Sequence, residues 1–502
     1  MSLISAIAPR WALKRAIARE QLRDIQKRSA HYAAAKSTRL TGSWSPTTED
    51  VNELIGNSSP QVRARVRQLV RDFPYFARAV DIITGYTVGA GIQFQSRVTS
   101  QNGQLNTRII DQIETAFNRW ADTADISGRL HFNEIMQLAK RQDLEAGEFL
   151  IIKHMRPGKP IPLALQLVEP DNLSDISARA KNPKHSISQG IEYDPATGRI
   201  IAYHLQDPDA YYKTTRYPAS RIIHGFHTLR PQQLRGISPF APAVLVAHDL
   251  GEYMDATMDT AKMASKYLAF VKRIDPYSAQ VANVAYDTNT SQPIETLQNA
   301  IIEYLQPGED VQFASPANPG AQFGPFVKLI LTMISVTVGV PYELLSGDYA
   351  GVNYSTMRTT RNDFSHYLRP IIDRHIRHFC SPVLQAFMDS AIMAGQLTLP
   401  GYLQDQARYL AADWQGPGME SIDPAKEGQG NIDQIAAGLK SPQEVAKTRG
   451  KDLEKIYQEL ASAKTLAKKY GLDLNTAPTT QATASTPSTT QPKENQDEPD
   501  NA

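Results

Sequence analysis

A helical apolar pattern extends over residues 355–395 and dominates the second half of the chain. Its stripe recurs at three- and four-residue spacing and comprises Leu368, Ile372, Ile376, Phe379, Val383, Phe387 and Ile392. A continuous helix of this length would reach ~60 Å. Pro370 and Pro382 each lack the backbone N–H that a helix interior uses. We therefore expect a long helix with bends at the prolines rather than a straight rod.

Two further helical patterns flank a mixed segment. One extends over residues 241–270, a rod of ~45 Å. The other covers residues 326–338 and should end at Gly339, because glycine terminates helices and Pro341 forbids continuation. Residues 271–323 between them combine strand-like, helical and turn-rich stretches. The segment is therefore expected to interrupt a pair of helices.

The hydrophobic period changes after two shorter helical patterns at 109–120 and 132–146. Short β-branched or aromatic stretches follow, separated by Pro, Gly, Asn and Asp, at 149–154, 163–168, 190–193, 200–206 and 221–226. They predict a small antiparallel sheet. The sequence thus predicts an α+β protein that is predominantly helical.

Composition narrows the class of protein. The 502 residues include 53 Lys plus Arg and 52 Asp plus Glu, a net charge of +1, so no overall cationic field holds nucleic acid or an acidic membrane. Cys380 is the single cysteine, which excludes an intrachain disulfide and suits a reducing compartment. The longest apolar run, 329–340, falls short of the ~20 residues of a bilayer span, so no membrane insertion is expected. Residues 476–502 contain no large apolar side chain and are predicted to be disordered.

Catalytic and metal-binding patterns are weak. A glycine-rich loop ending in Gly-Lys-Ser or Gly-Lys-Thr does not occur, and no histidine belongs to a His-Glu-x-x-His pattern. Cys380 follows His375 on the long helix, and Asp143, Glu145 and Glu148 form an acidic cluster. The acidic cluster could in principle hold a metal, but acids without a second ligand set are weak evidence for one. A hydrolase using these groups is one hypothesis, although a small buried thiol explains Cys380 more simply. We expect no catalytic residue, cofactor or metal.

Two charged stretches leave alternatives open. Residues 1–80 carry an excess of about +8, with Arg63, Arg65, Arg67 and Arg71 crowded together, which indicates either an ordinary exposed helix face or a surface for phosphate or a partner. An acidic series on the 241–270 helix, namely Asp249, Glu252, Asp255 and Asp259, is either a solvated face or the lining of a lumen.

Several segments together resemble the lambda-type tailed-bacteriophage portal protein family, over roughly residues 30–470. They are TVGAGIQFQ at 87–95, LEAGEFL at 144–150, LQLVEPDNL at 165–173, GIEYDPATGRIIAYHL at 190–205, RYPASRIIHGFH at 216–227, RPQQLRGISPFAP at 230–242, GVPYELLSGDYAGVNYSTMR at 339–358 and WQGPGMESIDPAKEGQGN at 414–431. One departure is Gln232, where the family pattern has glycine in a turn.

The resemblance implies a portal-type subunit with successive parts. They are a wing (1–240), stem helix 1 (241–270), a clip (271–323), stem helix 2 (324–345), a channel loop (346–357), a long bent helix (358–395), a helical crown (396–475) and the disordered tail (476–502). The channel loop would meet DNA through Tyr349, Asn353 and Tyr354, with Gly347 and Gly351 permitting positive φ.

The resemblance also implies the assembly and its partners. About twelve copies would form a ring at one capsid vertex of the virion, assembled in the host cytoplasm, through which double-stranded DNA is packaged and ejected. Expected partners are the terminase large subunit, a head-tail completion or adaptor protein, and the major capsid and scaffold proteins. A different structural or adaptor protein of the virion, which need not span a channel, is the remaining alternative.

Overall fold

The structure is a computed structural model that describes residues 48–266 except 101, 208 and 209, followed by 270–273, 309–312, 320–418 and 423–472. The basic segment before residue 48, most of the expected clip and the expected disordered tail lie outside these residues. Within the described part, no helix is both long and apolar enough to cross a membrane.

The described elements are mostly helices, with eleven short strands. The helices are α1 (Val51–Asp72), α2 (Pro74–Thr87), α3 (Thr107–Ala121), α4 (Phe132–Ala146), α5 (Val244–Lys266), α6 (Phe323–Val338), α7 (Tyr342–Ser346), α8 (Tyr354–His375), α9 (Ser381–Met393), α10 (Gln406–Tyr409), α11 (Pro424–Ala436), α12 (Pro442–Thr448) and α13 (Leu453–Lys469). The strands are β1 (Gln93–Ser96), β2 (Glu148–Met155), β3 (Leu163–Val168), β4 (Ser186–Ser188), β5 (Ile191–Tyr193), β6 (Ile200–Asp207), β7 (Ala210–Pro218), β8 (Ile222–Phe226), β9 (Phe270–Arg273), β10 (Glu309–Gln312) and β11 (Ala412–Gln415). The α+β, predominantly helical class is confirmed.

The chain divides into two compact units. The first unit comprises Met1–Pro74, Gln142–Ile152 and Val168–Pro319, and the second comprises Tyr75–Arg141, Lys153–Leu167 and Gly320–Ala502. This division does not follow the boundary expected at residue 240. Pairing between distant segments is the reason, since β1 pairs antiparallel with β11 in the second unit, with Phe94 opposite Trp414.

The first unit has a β-sheet core beside the helix pair α1 and α5. Strands β4, β5, β6 and β7 form an antiparallel sheet in that order, and β2 pairs antiparallel with β8. The sequence did not predict β4 or β7. The buried core comprises Leu150, Ile152, Leu173, Ile191, Tyr203, Leu205, Ile222 and Leu234. The core positions 150 and 152 of β2, and 203 and 205 of β6, lie two residues apart and so share one face of their strand.

Two glycines let distant backbone segments of the first unit touch. Gly147 has φ 87°, and a Cβ placed there would lie 2.1 Å from the carbonyl carbon of Ile237. A Cβ at Gly236 would lie 2.0 Å from the carbonyl oxygen of Gly147. Only glycine allows this approach. It brings Glu148, which follows Gly147, beside Arg235, which precedes Gly236.

Aromatic rings fill the core of the second unit. Phe117 on α3 has its ring centroid within 5.5 Å of those of Trp120, Phe132 and Phe387. The Trp120 indole N–H donates to the carbonyl oxygen of Leu163 at 2.8 Å, which satisfies the one polar group in the cluster. Burial of these rings fixes α3, α4 and α9 against one another.

The long helical pattern is not one regular helix. An α-helix continues through Pro370 to His375, and the backbone then takes the π form from Ile376 to Cys380 before α9 begins. Ser381 donates its N–H to the carbonyl oxygen of Ile376, five residues back. Pro382 in the first turn of α9 has no N–H to donate, so the wider turn accommodates the proline.

Two predicted boundaries shift in the structure. The rod expected at 241–270 is helical at Val244–Lys266, and residues 270–273 form strand β9, which pairs antiparallel with β10. The stem segment expected at 324–345 is divided, because α6 ends at Gly339, whose φ of 72° is left-handed, and α7 follows. The predicted stop at Gly339 is therefore confirmed.

Candidate functional site

The four acidic residues predicted on the 241–270 helix all lie exposed on α5. At 3.6 residues per turn, Asp249, Glu252, Asp255 and Asp259 span an arc of about 120°. The buried positions of α5, including Ala247 and Leu250, lie roughly opposite this arc. The acidic arc of α5, as we call these four residues, is thus presented to solvent in the single chain.

Two residues of the acidic arc have a nearby basic group. Asp259 lies 3.1 Å from the Lys262 ammonium, and the Glu252 carboxylate lies 3.4 Å from the His248 ring nitrogen, a contact that is an ion pair only when the ring is protonated. Asp249 and Asp255 have no ion-pair partner among the described residues. Surface pairs of this kind contribute little stability, so the arc keeps a negative potential near it.

A groove beside the acidic arc separates α5 from α1. It has a volume of about 380 Å³, and Glu252 and Asp255 line it together with Arg65 and Phe73. Arg65 is exposed and faces the groove from α1. The arc therefore borders a concave surface within the first unit, which the sequence did not indicate.

The predicted channel loop is shorter than expected. Irregular backbone extends from Gly347 to Asn353, because α7 and α8 take up the flanking residues. Gly347 and Gly351 have φ of 73° and 76°, the left-handed conformation expected of them. The loop is thus a short connection in the second unit between two helices.

Asp348 organises this loop and was not predicted. Its carboxylate accepts hydrogen bonds from the Ala350 N–H at 3.0 Å and the Tyr342 hydroxyl at 3.2 Å, and lies 3.8 Å from the Lys328 ammonium. The hydrogen bond from Ala350, with Tyr342 and Lys328 adding to it, lowers the pKa of Asp348 below its ordinary value. The signal available in the sequence was the Ser-Gly-Asp turn pattern at 346–348.

The three predicted channel residues differ in whether their side chains can contact a partner. Tyr349 and Tyr354 are each 49% exposed, so their rings are available to a partner. The Asn353 side-chain oxygen instead accepts from the Thr356 N–H at 2.8 Å and from the Thr356 hydroxyl at 3.0 Å. Asn353 is therefore the N-cap of α8, which commits its acceptor to the helix.

Two of the crowded arginines are not an exposed partner surface. Arg63 is buried, and its guanidinium lies 2.9 Å from Asp171 and 3.7 Å from Glu148. Arg67 pairs with Glu169 and, at 2.9 Å, with Asp171. Arg65 and Arg71 remain exposed. Half of the guanidinium groups in this stretch are therefore used inside the first unit, and a phosphate- or partner-facing surface stays a hypothesis for Arg65 and Arg71.

Glu148 is a fully buried carboxylate at the centre of these contacts. It accepts hydrogen bonds from the Arg235 guanidinium at 2.6 Å, the Gly236 N–H at 2.9 Å and the His224 ring at 3.0 Å. Burial alone would raise the pKa of Glu148, but Arg235 and His224 outweigh burial and hold that pKa well below its ordinary value. The carboxylate is therefore a structural anion.

A second buried carboxylate, Glu192, lies in the four-stranded sheet. Arg216 donates to it from Nε at 2.6 Å, and the rings of His204 and His185 lie at 3.2 and 3.1 Å. The Arg216 hydrogen bond, opposed by burial and assisted by the two histidines, lowers the pKa of Glu192 to about 2. Side chains of four sequence segments quoted above thus meet around Glu148 and Glu192.

The groups of the hydrolase hypothesis are arranged for packing. Cys380 is fully buried, and burial raises the pKa of its thiol, which disfavours the thiolate. His375 is buried with its ring stacked on Phe379 at 5.2 Å, and burial, together with Lys140, lowers its pKa well below the ordinary value. Within the described ranges, no three His, Cys, Asp or Glu side chains are grouped as metal ligands.

The known proteins that resemble this chain in sequence include several phage portal proteins. The model of a family described as "Phage portal protein, lambda family" matches residues 37–371. A probable portal protein of Halomonas phage phiHAP-1 is 23% identical over 459 residues, covering 88% of this chain and 87% of that protein. The portal protein of Escherichia phage N15 is 22% identical over 468 residues, with coverage of 83% and 86%. Portal protein B of Escherichia phage lambda is 21% identical over 462 residues, with coverage of 83% and 86%.

Solved structures similar to this chain come from gene transfer agent (GTA) particles. The neck of an empty GTA particle contains a chain with TM-score 0.46 and 14% identity, covering 82% of this chain and 97% of that one. The virion of a native GTA particle contains another with TM-score 0.41 and 15% identity, covering 80% of this chain and 99% of that one.

The family model described above matches more than half of this sequence. This chain therefore belongs to the lambda family of phage portal proteins.

Proposed function

We propose that about twelve copies of this chain form a closed ring at one vertex of a viral capsid, and that double-stranded DNA passes through its bore during packaging and ejection. The observation that carries the proposal is the exposed acidic arc of α5 on a chain of the portal family. The ring contact is heterologous, because one face of each subunit meets a different face of the next.

The physical argument concerns adhesion. A protein that neutralises several phosphates binds DNA in a salt-dependent manner, and each step of a sliding duplex would have to break those contacts. Carboxylates repel phosphates and keep water and counterions between the two surfaces. If the acidic arc faces the bore, Asp249 and Asp255, which have no ion-pair partner among the described residues, supply most of this repulsion.

The loop from Gly347 to Asn353 supplies a second kind of contact in this proposal. Tyr349 and Tyr354 are half exposed, and their hydroxyl groups can touch sugar or phosphate without the grip of a Lys or Arg side chain. Asn353 acts indirectly, because its side chain caps α8 and so positions Tyr354 in the first helical turn. Asn353 is accordingly a positioning residue.

The partners follow from the same proposal. The clip, 271–323, would dock the terminase large subunit and later the head-tail completion or adaptor protein. The basic segment before residue 48 would contact the neighbouring subunit, the major capsid protein or the scaffold. The mature location is the virion, with assembly in the host cytoplasm. The proposed role includes no catalytic step and no cofactor.

Electron microscopy of the purified protein tests the ring. We expect rings with a central hole wide enough for a B-form DNA duplex to pass. A ring with a closed centre would favour the alternative of a virion adaptor that does not form a channel. A monomer at every concentration and salt examined would refute the proposal.

Charge reversal tests the role of the acidic arc. Asp249→Lys combined with Asp255→Lys should reduce packaged DNA by about tenfold, because two added cations per subunit repeated around a ring create a retaining surface. The matched control is Asp111→Lys with Glu459→Lys, two exposed acids on α3 and α13. Ring assembly is measured in parallel. Equal packaging by both variants at low and moderate salt would contradict a lumen-facing arc.

A further inference from the structure

A large basic groove lies within the second unit, and Tyr354, one of the proposed DNA-contact residues, is among the residues that line it. It has a volume of about 850 Å³ and is lined by α8 on one side and by α11, α12 and their flanking residues on the other. Volumes in this range are typical of sites that hold a compact ligand or a short peptide segment. The basic groove, as we call it, therefore has the dimensions of a binding site.

Positive charge dominates its lining. Seven Lys or Arg residues and three Asp or Glu residues line the basic groove. Arg358, Arg361 and Arg369 fall on one face of α8, within an arc of about 80° at 3.6 residues per turn. None of these three guanidinium groups has an ion-pair partner among the described residues. The arginine face of α8 is thus charged and uncompensated.

The other cations of the groove are partly committed. Lys426 lies 3.6 Å from Asp423, and Lys447 lies 3.2 Å from Asp413. The Lys440 ammonium donates to the Asn431 side chain at 3.1 Å. Arg449, the fourth of these cations, has no ion-pair partner among the described residues. Recognition of an anion would therefore fall mainly to the arginine face, whose planar guanidinium groups pair with carboxylates in a bidentate manner.

An occupant of matching charge exists in this chain. Residues 494–500 read ENQDEPD and contain four carboxylates, at Glu494, Asp497, Glu498 and Asp500. The groove lining has the same number of excess positive charges. We propose that segment 494–500 binds in the basic groove and neutralises the arginine face of α8.

The connecting chain is long enough. Residues 473–493 separate the acidic segment from the last described residue, Leu472, and can span up to ~70 Å. The path from Arg449 at the groove to Leu472 follows α13, which is ~25 Å long, and a short loop before it. Covalent attachment also raises the local concentration of the segment, so weak individual ion pairs suffice for occupancy.

Occupation of the groove would have a consequence for a protein that conducts DNA. An open row of three arginines binds any polyanion, with the salt dependence of phosphate contacts. A tethered acidic segment removes this unspecific affinity while the groove remains available to a stronger competitor. The segment therefore acts as a built-in competitor of nucleic acid.

Fluorescence anisotropy with a labelled peptide of residues 490–502 tests the proposal in the full-length chain. The peptide should bind a variant whose own segment is neutralised (Glu494→Gln, Asp497→Asn, Glu498→Gln, Asp500→Asn) at least about tenfold more tightly than it binds the wild-type chain, because the wild-type groove is occupied. Raising the salt from about 50 to 200 mM should weaken this binding severalfold.

Site variants locate the binding. In the neutralised background, Arg358→Glu with Arg361→Glu should reduce peptide affinity by about tenfold or more. Arg108→Glu with Arg119→Glu on α3, which line a different cavity, serve as the matched control. Arg369→Gln should give a smaller loss and remains informative if the double reversal does not fold.

Three results would overturn the proposal: equal peptide affinity for the wild-type and neutralised chains, equal loss from the two arginine pairs, or no binding at low salt. A single-stranded DNA of about 20 nucleotides supplies the remaining test. Should it bind the wild-type groove as tightly as the neutralised one, nucleic acid rather than segment 494–500 is the occupant.

Discussion

Replacing Glu148 by glutamine removes the one negative charge at the centre of a buried cationic cluster. The substitution keeps the shape of the side chain, but it turns one oxygen into an NH₂ group that donates. Oε1 now accepts from Arg235, and Oε2 accepts from Gly236 and His224, so either oxygen that is replaced leaves at least one donor without its acceptor. Arg235 and Arg63 are 5% and 4% exposed, so neither can recover its lost partner from water. Breaking a buried pair in this way costs ~3–5 kcal/mol.

This loss is a large share of the ~5–15 kcal/mol that stabilises a typical domain. With a urea dependence of ~2 kcal/mol per molar, the unfolding midpoint should fall by ~2 M. Hydrogen exchange in β2 and β8, which pair directly at Glu148 and Phe226, should accelerate by ~10²–10⁴-fold, since 1.36 kcal/mol corresponds to a factor of ten. Mass spectrometry of peptides covering these strands measures the change locally.

Two comparison variants isolate the buried charge. Glu459→Gln makes the same chemical change at an exposed position of α13 and should leave the midpoint unchanged. Glu148→Met combined with Arg235→Met should destabilise less than Glu148→Gln alone, because the pair is then replaced by apolar volume. A shift below ~0.5 kcal/mol for Glu148→Gln would refute the reasoning.

Two further outcomes follow from backbone conformation and from pH. Gln232 has φ 64°, the left-handed region, so Gln232→Gly should stabilise the chain by about 0.5–1 kcal/mol in urea unfolding while Gln232→Ala should not; equal effects of the two would exclude backbone strain. The pKa of Glu192 is lowered to about 2, so its contribution to stability is fully present above pH 4.5 and is lost as pH falls through about 2. The difference in urea midpoint between wild type and Glu192→Gln should therefore shrink on acidification, and a difference that grew would contradict the direction of the pKa shift.

Local pattern was sufficient for many elements. The helices expected at 109–120 and 132–146 are α3 and α4, and the five predicted strands correspond to β2, β3, β5, β6 and β8. The two helical segments show three- and four-residue spacing, and the strand segments are short β-branched or aromatic stretches bounded by turn-forming residues. Strand β7 contains Lys213 and Arg216, and β4 has only three residues, so neither has a distinctive apolar alternation.

The sequence predicted some features of the candidate site but not others. Helical spacing placed the acidic arc on one face of α5, and its exposure agrees with that spacing. The capping role of Asn353 and the organising role of Asp348 depend on which backbone N–H groups lie within hydrogen-bonding distance. From the sequence alone, Arg63 and Arg67 are expected to be surface charges. Only the tertiary structure places their acidic partners, more than eighty residues away in the chain, beside them.

The amino-acid sequence alone determined the class of the fold, the helical and strand periods, the stop at Gly339 and, through ordered segments of characteristic sequence, the protein family. The tertiary structure alone decided which charges are buried and paired. It brings Glu148 to Arg235 and strand β1 to β11. The physical reason is the distance over which each effect acts. Backbone propensity depends on neighbours within a few residues of the chain. The pKa of a carboxylate, and whether an arginine is free to bind a partner, depend on groups within a few ångströms, wherever in the chain those groups occur.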